Sequence, residues 1–186
     1  MRGLMPAAKS RGLIIFFTGL PGAGKSTLAQ ALAERLAVLG RAVTLLDGDE
    51  VRRLLSSELG YSRPHRDLNV LRIGFVAAEV ARHGGIAICA QIAPYAAARA
   101  EVRRRGSAAG NFLLVHVSTP LEVCERRDPK GHYARARAGL LPGFTGVSDP
   151  YEPPQDADLS IDTQDCTPLD AANVIVARLQ RDGLLG

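Results

Sequence analysis

Short apolar runs alternate with longer stretches of helical period along this chain, and that alternation points to an architecture. Leu13–Thr18 is a continuous apolar run, as expected of a buried strand. Ser26–Leu39 carries Leu28, Leu32, Leu36 and Leu39 at helical spacing and stops at Gly40, a natural C-cap. Ala42–Leu46 reads as a second strand, ending in Asp47-Gly48-Asp49, which is good turn chemistry. Asp67–His83 is a long helix closed by Gly84-Gly85. Ile86–Ile92, Phe112–Ser118 and Leu159–Asp162 are further strands. Pro120–Arg126 opens as a helix with proline in its first turn, and Pro168–Arg181 is a terminal amphipathic helix.

Strands alternating with helices imply parallel βαβ units. The expected fold is α/β: three layers, α/β/α, around an open, mainly parallel sheet of about five strands. In such sheets ligands sit beyond the carboxyl ends of the strands. That rule gathers Gly19–Thr27, Asp47–Asp49, Ala93–Tyr95 and the segment after Thr119 on one rim. From about Arg126 to Pro154 the pattern gives way to Gly, Pro, Arg and aromatic residues, a stretch long enough to read as lid or binding loops. Residues 1–11 read as a loose tail and 12–186 as one domain.

Composition narrows the classes. A chain of 186 residues, 46% hydrophobic, supports one well-buried core. No stretch approaches the roughly 18–20 apolar residues of a membrane span. The run Leu13–Phe17 is too short for a signal peptide and leads directly into glycines, so a soluble cytoplasmic enzyme is expected. Cys89, Cys124 and Cys166 form no CxxC pair, and the four histidines show no metal-ligand spacing. The net charge of +4 is carried almost wholly by arginine; only Lys9, Lys25 and Lys130 are lysines. Arg103-Arg104-Arg105 has no interleaved aromatics and reads as a solvated face rather than a nucleic-acid patch.

The strongest chemical signal is Gly19-Leu20-Pro21-Gly22-Ala23-Gly24-Lys25-Ser26-Thr27, which fits GxxxxGK[ST] at every fixed position. A strand precedes it and a helix follows, as a P-loop requires, making the fold P-loop NTPase-type. Backbone N–H groups of such a loop point at phosphate oxygens, and the helix adds its positive end. Lys25 is expected on the β- and γ-phosphates of ATP, and the Ser26 hydroxyl on Mg²⁺. The strands Ile86–Ile92 and Phe112–Ser118 end without an acid. Asp47 and Asp49 are therefore the candidates either to hold a magnesium water or to accept the proton of an attacking hydroxyl, with a plain turn as the alternative. The guanine-reading NKxD motif of a GTPase is absent, since no lysine follows any Asn. A kinase of a small anionic metabolite is the reading that remains.

Further residues carry a resemblance to a known family. Leu46-Asp47-Gly48-Asp49-Glu50-Val51-Arg52, then Leu59-Gly60-Tyr61-Ser62 with Arg66, Asn69 and Arg72, resembles adenylylsulfate (APS) kinase. So do Ile92-Ala93-Pro94-Tyr95, Thr119–Gly131, Ala136–Gly139, Gly143-Phe144-Thr145-Gly146-Val147 and Asp149–Glu152, in consistent order over about residues 13–165. The resemblance implies phosphorylation of the 3′-hydroxyl of adenosine 5′-phosphosulfate (APS) to PAPS. It also implies a homodimer and a link or fusion to ATP sulfurylase. It places ATP on the P-loop with Arg127 and Lys130. The acceptor then lies against Asp47, Asp49, Arg52, Tyr61, Arg66, Asn69, Ile92, Ala93, Phe144 and Thr145. Guanidinium groups suit the phosphosulfate, and Phe144 offers a platform for adenine, although packing within the lid is its other reading. Three positions depart from the family pattern. Ala93 replaces a serine described as a phosphorylation site, which implies direct in-line transfer; Glu50 replaces an asparagine; and Pro142 replaces a lysine. A non-catalytic nucleotide-binding module, or a kinase of another small anionic metabolite, are the alternatives.

Overall fold

The computed structural model describes residues 11–185. Five strands, β1 (Leu13–Thr18), β2 (Val43–Asp47), β3 (Ile86–Ala90), β4 (Asn111–Val117) and β5 (Leu159–Ile161), form one sheet in the order β2-β3-β1-β4-β5. Every pairing is parallel. Strand β1 lies at the centre with all six residues buried, which is why it reads as an unbroken apolar run.

Seven helices accompany the strands: α1 (Lys25–Val38), α2 (Gly48–Leu55), α3 (Arg63–Arg82), α4 (Ala96–Ala109), α5 (Leu121–Arg127), α6 (His132–Arg137) and α7 (Pro168–Arg181). Alternate residues of β1 point to opposite faces. Leu13, Ile15 and Phe17 pack with Leu28, Leu32 and Leu36 of α1 and with Ile175 and Leu179 of α7. Ile14 and Phe16 pack with Val70, Ile73 and Ala77 of α3 and Val102 of α4. The result is the expected α/β/α arrangement, each face of the sheet with its own core.

Several elements differ from the sequence expectation. Where Asp47-Gly48-Asp49 reads as a turn, helix α2 begins, and Asp47 is its N-cap: Oδ1 accepts from the Asp49 N–H at 2.9 Å. Helix α3 starts at Arg63, with Pro64 in its first turn, rather than at Asp67. Helix α6 lies inside the stretch expected to be irregular. It is initiated by the Asp128 carboxylate, which accepts from the N–H groups of Tyr133 (3.1 Å) and Ala134 (3.0 Å). The expected tail at 1–11 lies, apart from Arg11, outside the described residues. Among the described residues, no helix is long and apolar enough to cross a membrane.

Candidate active site

The chain leaves β1 at Thr18, turns through six residues and enters α1 at Lys25. Gly22 and Gly24 have φ of 74° and 94°, where side chains other than glycine are strained. A Cβ on Gly22 would also stand 2.9 Å from the Cys124 carbonyl oxygen. Lys25, Ser26 and Thr27 form the first turn of α1, at the positive end of its dipole. Lys25 is buried, its Nζ donating to the carbonyls of Gly19 (2.9 Å) and Leu20 (2.6 Å). Burial pushes its pKa down to about 8, against the opposing pull of neighbours that include Asp49 and Asp47.

The Ser26 hydroxyl donates to Asp47 Oδ2 at 2.6 Å, linking the start of α1 to the tip of β2. Both Asp47 oxygens are thus occupied, one by Ser26 and one by the α2 cap. Asp49 sits just inside α2, and its carboxylate meets the Lys130 ammonium from the segment between α5 and α6. These residues border a cleft of about 650 Å³.

The cleft wall includes Pro21, Gly22, Gly24, Lys25, Ser26 and Thr27 of the glycine loop, with Arg127 and Lys130. Arg127 is held by Thr163, donating to its hydroxyl at 2.8 Å and its carbonyl at 2.7 Å. The wall also includes Asp47, Asp49, Arg52, Tyr61, Arg66, Asn69, Ile92, Ala93, Phe144 and Thr145. Gly19 and Ala23 are the expected site residues that do not line the cleft; both act through their carbonyls. Gly19 holds Lys25, and Ala23 accepts from the hydroxyls of Thr119 (3.1 Å) and Thr163 (2.9 Å).

Local contacts define what these side chains can do. Arg66 donates to the Tyr61 carbonyl at 2.7 Å, and its other nitrogens bond Thr145 Oγ1 and the Gly143 carbonyl. It therefore ties α3 to the 143–145 segment. Arg52 donates to the carbonyls of Leu59 (3.1 Å) and Gly60 (3.0 Å) and lies over the Tyr61 ring at 4.7 Å. Phe144 is 9% exposed and meets Tyr133 edge-on at 5.0 Å between ring centroids. Phe144 thus packs within the lid, one of its two sequence readings, and also lines the cleft. Ala93 has φ of 44°, and its carbonyl accepts from Arg99 Nη1 at 2.7 Å and from the Thr18 hydroxyl at 3.2 Å.

Sequence reasoning missed Gln91, Tyr133, Thr163, Cys166 and Pro168, all on the cleft wall. Thr163, Cys166 and Pro168 follow the carboxyl end of β5, where the strand-end rule points; a strand of three residues gave it little emphasis. The wall carries Lys25, Arg52, Arg66, Arg127 and Lys130 against Asp47, Asp49 and Asp128, a balance suited to anionic ligands. Among the described residues, no cluster of three or more His, Cys, Asp or Glu is placed to hold a metal. The arrangement suits a polyphosphate on the glycine loop and a second anion at the remaining guanidinium groups, beside two carboxylates.

Known proteins resemble this chain in sequence and fold. The adenylylsulphate kinase family model matches residues 11–162. The adenylyl-sulfate kinase of Synechococcus sp. (strain JA-3-3Ab) is 49% identical over 175 residues, covering 94% of this chain and 98% of that protein. The sulfate adenylyltransferase of Phaeosphaeria nodorum is 47% identical over 186 residues, although this chain spans only 32% of it. The structure of the Mycobacterium tuberculosis APS kinase CysC in complex with AMPPNP and APS superposes with a TM-score of 0.88. That match has 39% identity and covers 91% of this chain and 98% of the other. With a family match over most of its length, a relative covered almost end to end and a shared fold, this chain belongs to the adenylylsulphate kinase family, the ATP-dependent kinases of adenylyl sulfate.

Proposed function

We propose that this chain transfers the γ-phosphoryl group of ATP directly to the 3′-hydroxyl of adenylyl sulfate, giving 3′-phosphoadenylyl sulfate and ADP. The observation that carries this reading is the 2.6 Å contact of Ser26 with Asp47 beside the buried Lys25, on the wall of one cleft. ATP lies on Gly22–Thr27, with Lys25 on its β- and γ-phosphates and Arg127 and Lys130 closing over it. Adenylyl sulfate lies beside it in the same cleft, its phosphosulfate toward Arg52, Arg66 and Asn69 and its adenine toward Phe144 and Tyr61.

The Ser26 and Asp47 oxygens are hard donors one hydrogen bond apart, the kind of partial set that Mg²⁺ completes with nucleotide phosphates and water. Bound there, the ion supplies charge neutralisation on the phosphates. The Asp49 carboxylate caps no helix and pairs with the lid cation Lys130, so it is the group that takes the proton of the attacking hydroxyl. In that step the 3′-oxygen bonds to the γ-phosphorus, the bond to the β–γ bridging oxygen breaks, and ADP leaves. Ala93 has no hydroxyl, so no phosphoseryl species forms at that position.

Residues 12–186 act as one catalytic unit, with 126–154 as its lid, in the cytoplasm where ATP is supplied. A homodimer and a working partnership with a sulfate adenylyltransferase, which produces adenylyl sulfate, complete the reading. The test is ADP release with Mg·ATP and micromolar adenylyl sulfate, compared with adenosine 5′-monophosphate and gluconate. Turnover specific to adenylyl sulfate is expected. ATP binding without it would favour a non-catalytic module.

A further inference from the structure

Gln91 follows β3 directly, one residue beyond Ala90, which pairs with Asp47 across the sheet edge. Its side chain is 5% exposed, and neither Oε1 nor Nε2 has a hydrogen-bond partner among the described residues. Asn69 of α3, 6% exposed, likewise has an Oδ1 without a partner. Both line the cleft. A Cβ added to Gly48 would stand 3.2 Å from Gln91 Cβ, so Gln91 packs against the residue between Asp47 and Asp49.

A buried carboxamide with both ends unpaired destabilises a fold, and native structures contain few of them. Methionine or leucine of similar volume would fill the same space without that cost. A group of this kind, facing a ligand cleft beside two carboxylates, is one whose partner arrives with the ligand. The chemistry of the amide restricts that partner. It donates and accepts at once, as a ribose hydroxyl does, whereas a phosphosulfate only accepts. Its place against Gly48 is where the sugar must lie if its hydroxyl is to reach Asp49.

We infer that Gln91 is a specificity-determining residue of the acceptor half of the site, hydrogen-bonding the ribose of the nucleotide beside the hydroxyl that is phosphorylated. The inference rests on adenylyl sulfate being the acceptor. Losing the contact removes acceptor binding while relieving the free protein of an unpaired amide, so function and stability move in opposite directions.

The experiment compares the full chain with Gln91→Met and Gln91→Leu, measuring KM for adenylyl sulfate, KM for ATP and Tm without ligands. KM for adenylyl sulfate should rise about fivefold to thirtyfold, KM for ATP should hold, and Tm should rise. With 2′-deoxyadenylyl sulfate, the difference between the unsubstituted chain and Gln91→Met should shrink, because one partner is already gone. An unchanged KM for adenylyl sulfate in both variants overturns the inference and leaves the kinase reading intact. So does a fall in Tm in both, since Gln91 would then be satisfied in the free fold. No turnover of adenylyl sulfate by the unsubstituted chain overturns the kinase reading, and the inference with it.

Discussion

Lys25 illustrates how one side chain links burial to chemistry. Its ammonium is held out of water against two carbonyls, and its pKa is pushed down to about 8 from an ordinary 10.5. Below pH 8 both folded and unfolded chains hold the proton. Between about 8 and 10.5 the folded chain loses it first, so the stability of the ligand-free protein rises with pH across that window. Nucleotide binding follows the opposite course, because the triphosphate needs the cation. The kcat/KM for ATP, which reports the free enzyme, should fall above a pKa near 8. In kcat the same limb should move to higher pH, because bound phosphates favour the charged lysine. A flat kcat/KM profile between pH 7 and 9.5 would remove Lys25 from the role given to it. The two carboxylates should separate in the same assay. Asp47→Asn removes the charge and turns one of two acceptor oxygens into an amide donor, weakening a Mg²⁺ site, so its loss of kcat should be partly recovered by raised Mg²⁺. Asp49→Asn removes the proton acceptor and should cost about 10²- to 10⁴-fold in kcat at any Mg²⁺ concentration. Equal rescue of both would mean that Asp49 is not the base.

At the scale of elements, the loop after β3 depends on α4. Ala93 holds φ at 44°, and the buried Arg99 of α4 donates to its carbonyl at 2.7 Å and to the Glu152 carbonyl at 2.6 Å. A non-glycine residue in that region costs roughly 1–3 kcal/mol, sustained only by surrounding contacts. Arg99→Met should therefore lower stability and raise KM for adenylyl sulfate. Adding Ala93→Gly, which adopts the conformation freely, should return part of both. Denaturant unfolding of the two singles and the double checks this, and strict additivity would show that Arg99 does not hold Ala93. This helix also shows why part of the fold was illegible in the sequence. The α4 sequence, Ala96–Ala109, buries Ala98, Arg99, Val102 and Gly106. Small residues are needed there: a Cβ on Gly106 would meet Phe112 at 2.4 Å. Close packing thus erased the hydrophobic period that announces helices such as α1. The reverse held for α2, whose Asp-Gly-Asp start carries turn chemistry until Asp47 uses it as a cap. The P-loop was legible because its chemistry is contiguous. Gln91 was not, because a single amide at the end of an apolar strand acquires meaning only when its missing partners are known.

For the whole molecule, the question is what joins the two sides of the cleft. Tyr133 of α6 donates to the Pro21 carbonyl at 2.9 Å, Arg127 grips Thr163, Arg66 holds Gly143 and Thr145, and Lys130 meets Asp49. Tyr133, Arg66 and Thr145 are buried, whereas Arg127 is exposed and its partner Thr163 half-buried. The Lys130–Asp49 contact is an ion pair whose side chains are 56% and 74% exposed, and such pairs contribute under about 1 kcal/mol. Lys130 is thus placed for exchange, able to leave Asp49 for phosphate oxygens at little cost and to free the carboxylate for its proton. Arg66 is placed for permanence, since removing it leaves the buried Thr145 hydroxyl and the part-buried carbonyls of Tyr61 and Gly143 without their donor. The two cations should therefore fail differently. Lys130→Met should leave Tm within about 3 °C, the shift expected for under 1 kcal/mol in a chain of this size. Its kcat should nevertheless fall at least about tenfold, because a lid cation acts on charge that develops during transfer. Arg66→Met should lower Tm by more than that, raise KM for adenylyl sulfate, and speed hydrogen exchange in residues 143–149 of the ligand-free protein. If Lys130→Met destabilised the chain as much as Arg66→Met and left kcat unchanged, the lid would be a fixed wall of the cleft. Closure by exchange of one cation between carboxylate and phosphate would then be the wrong picture.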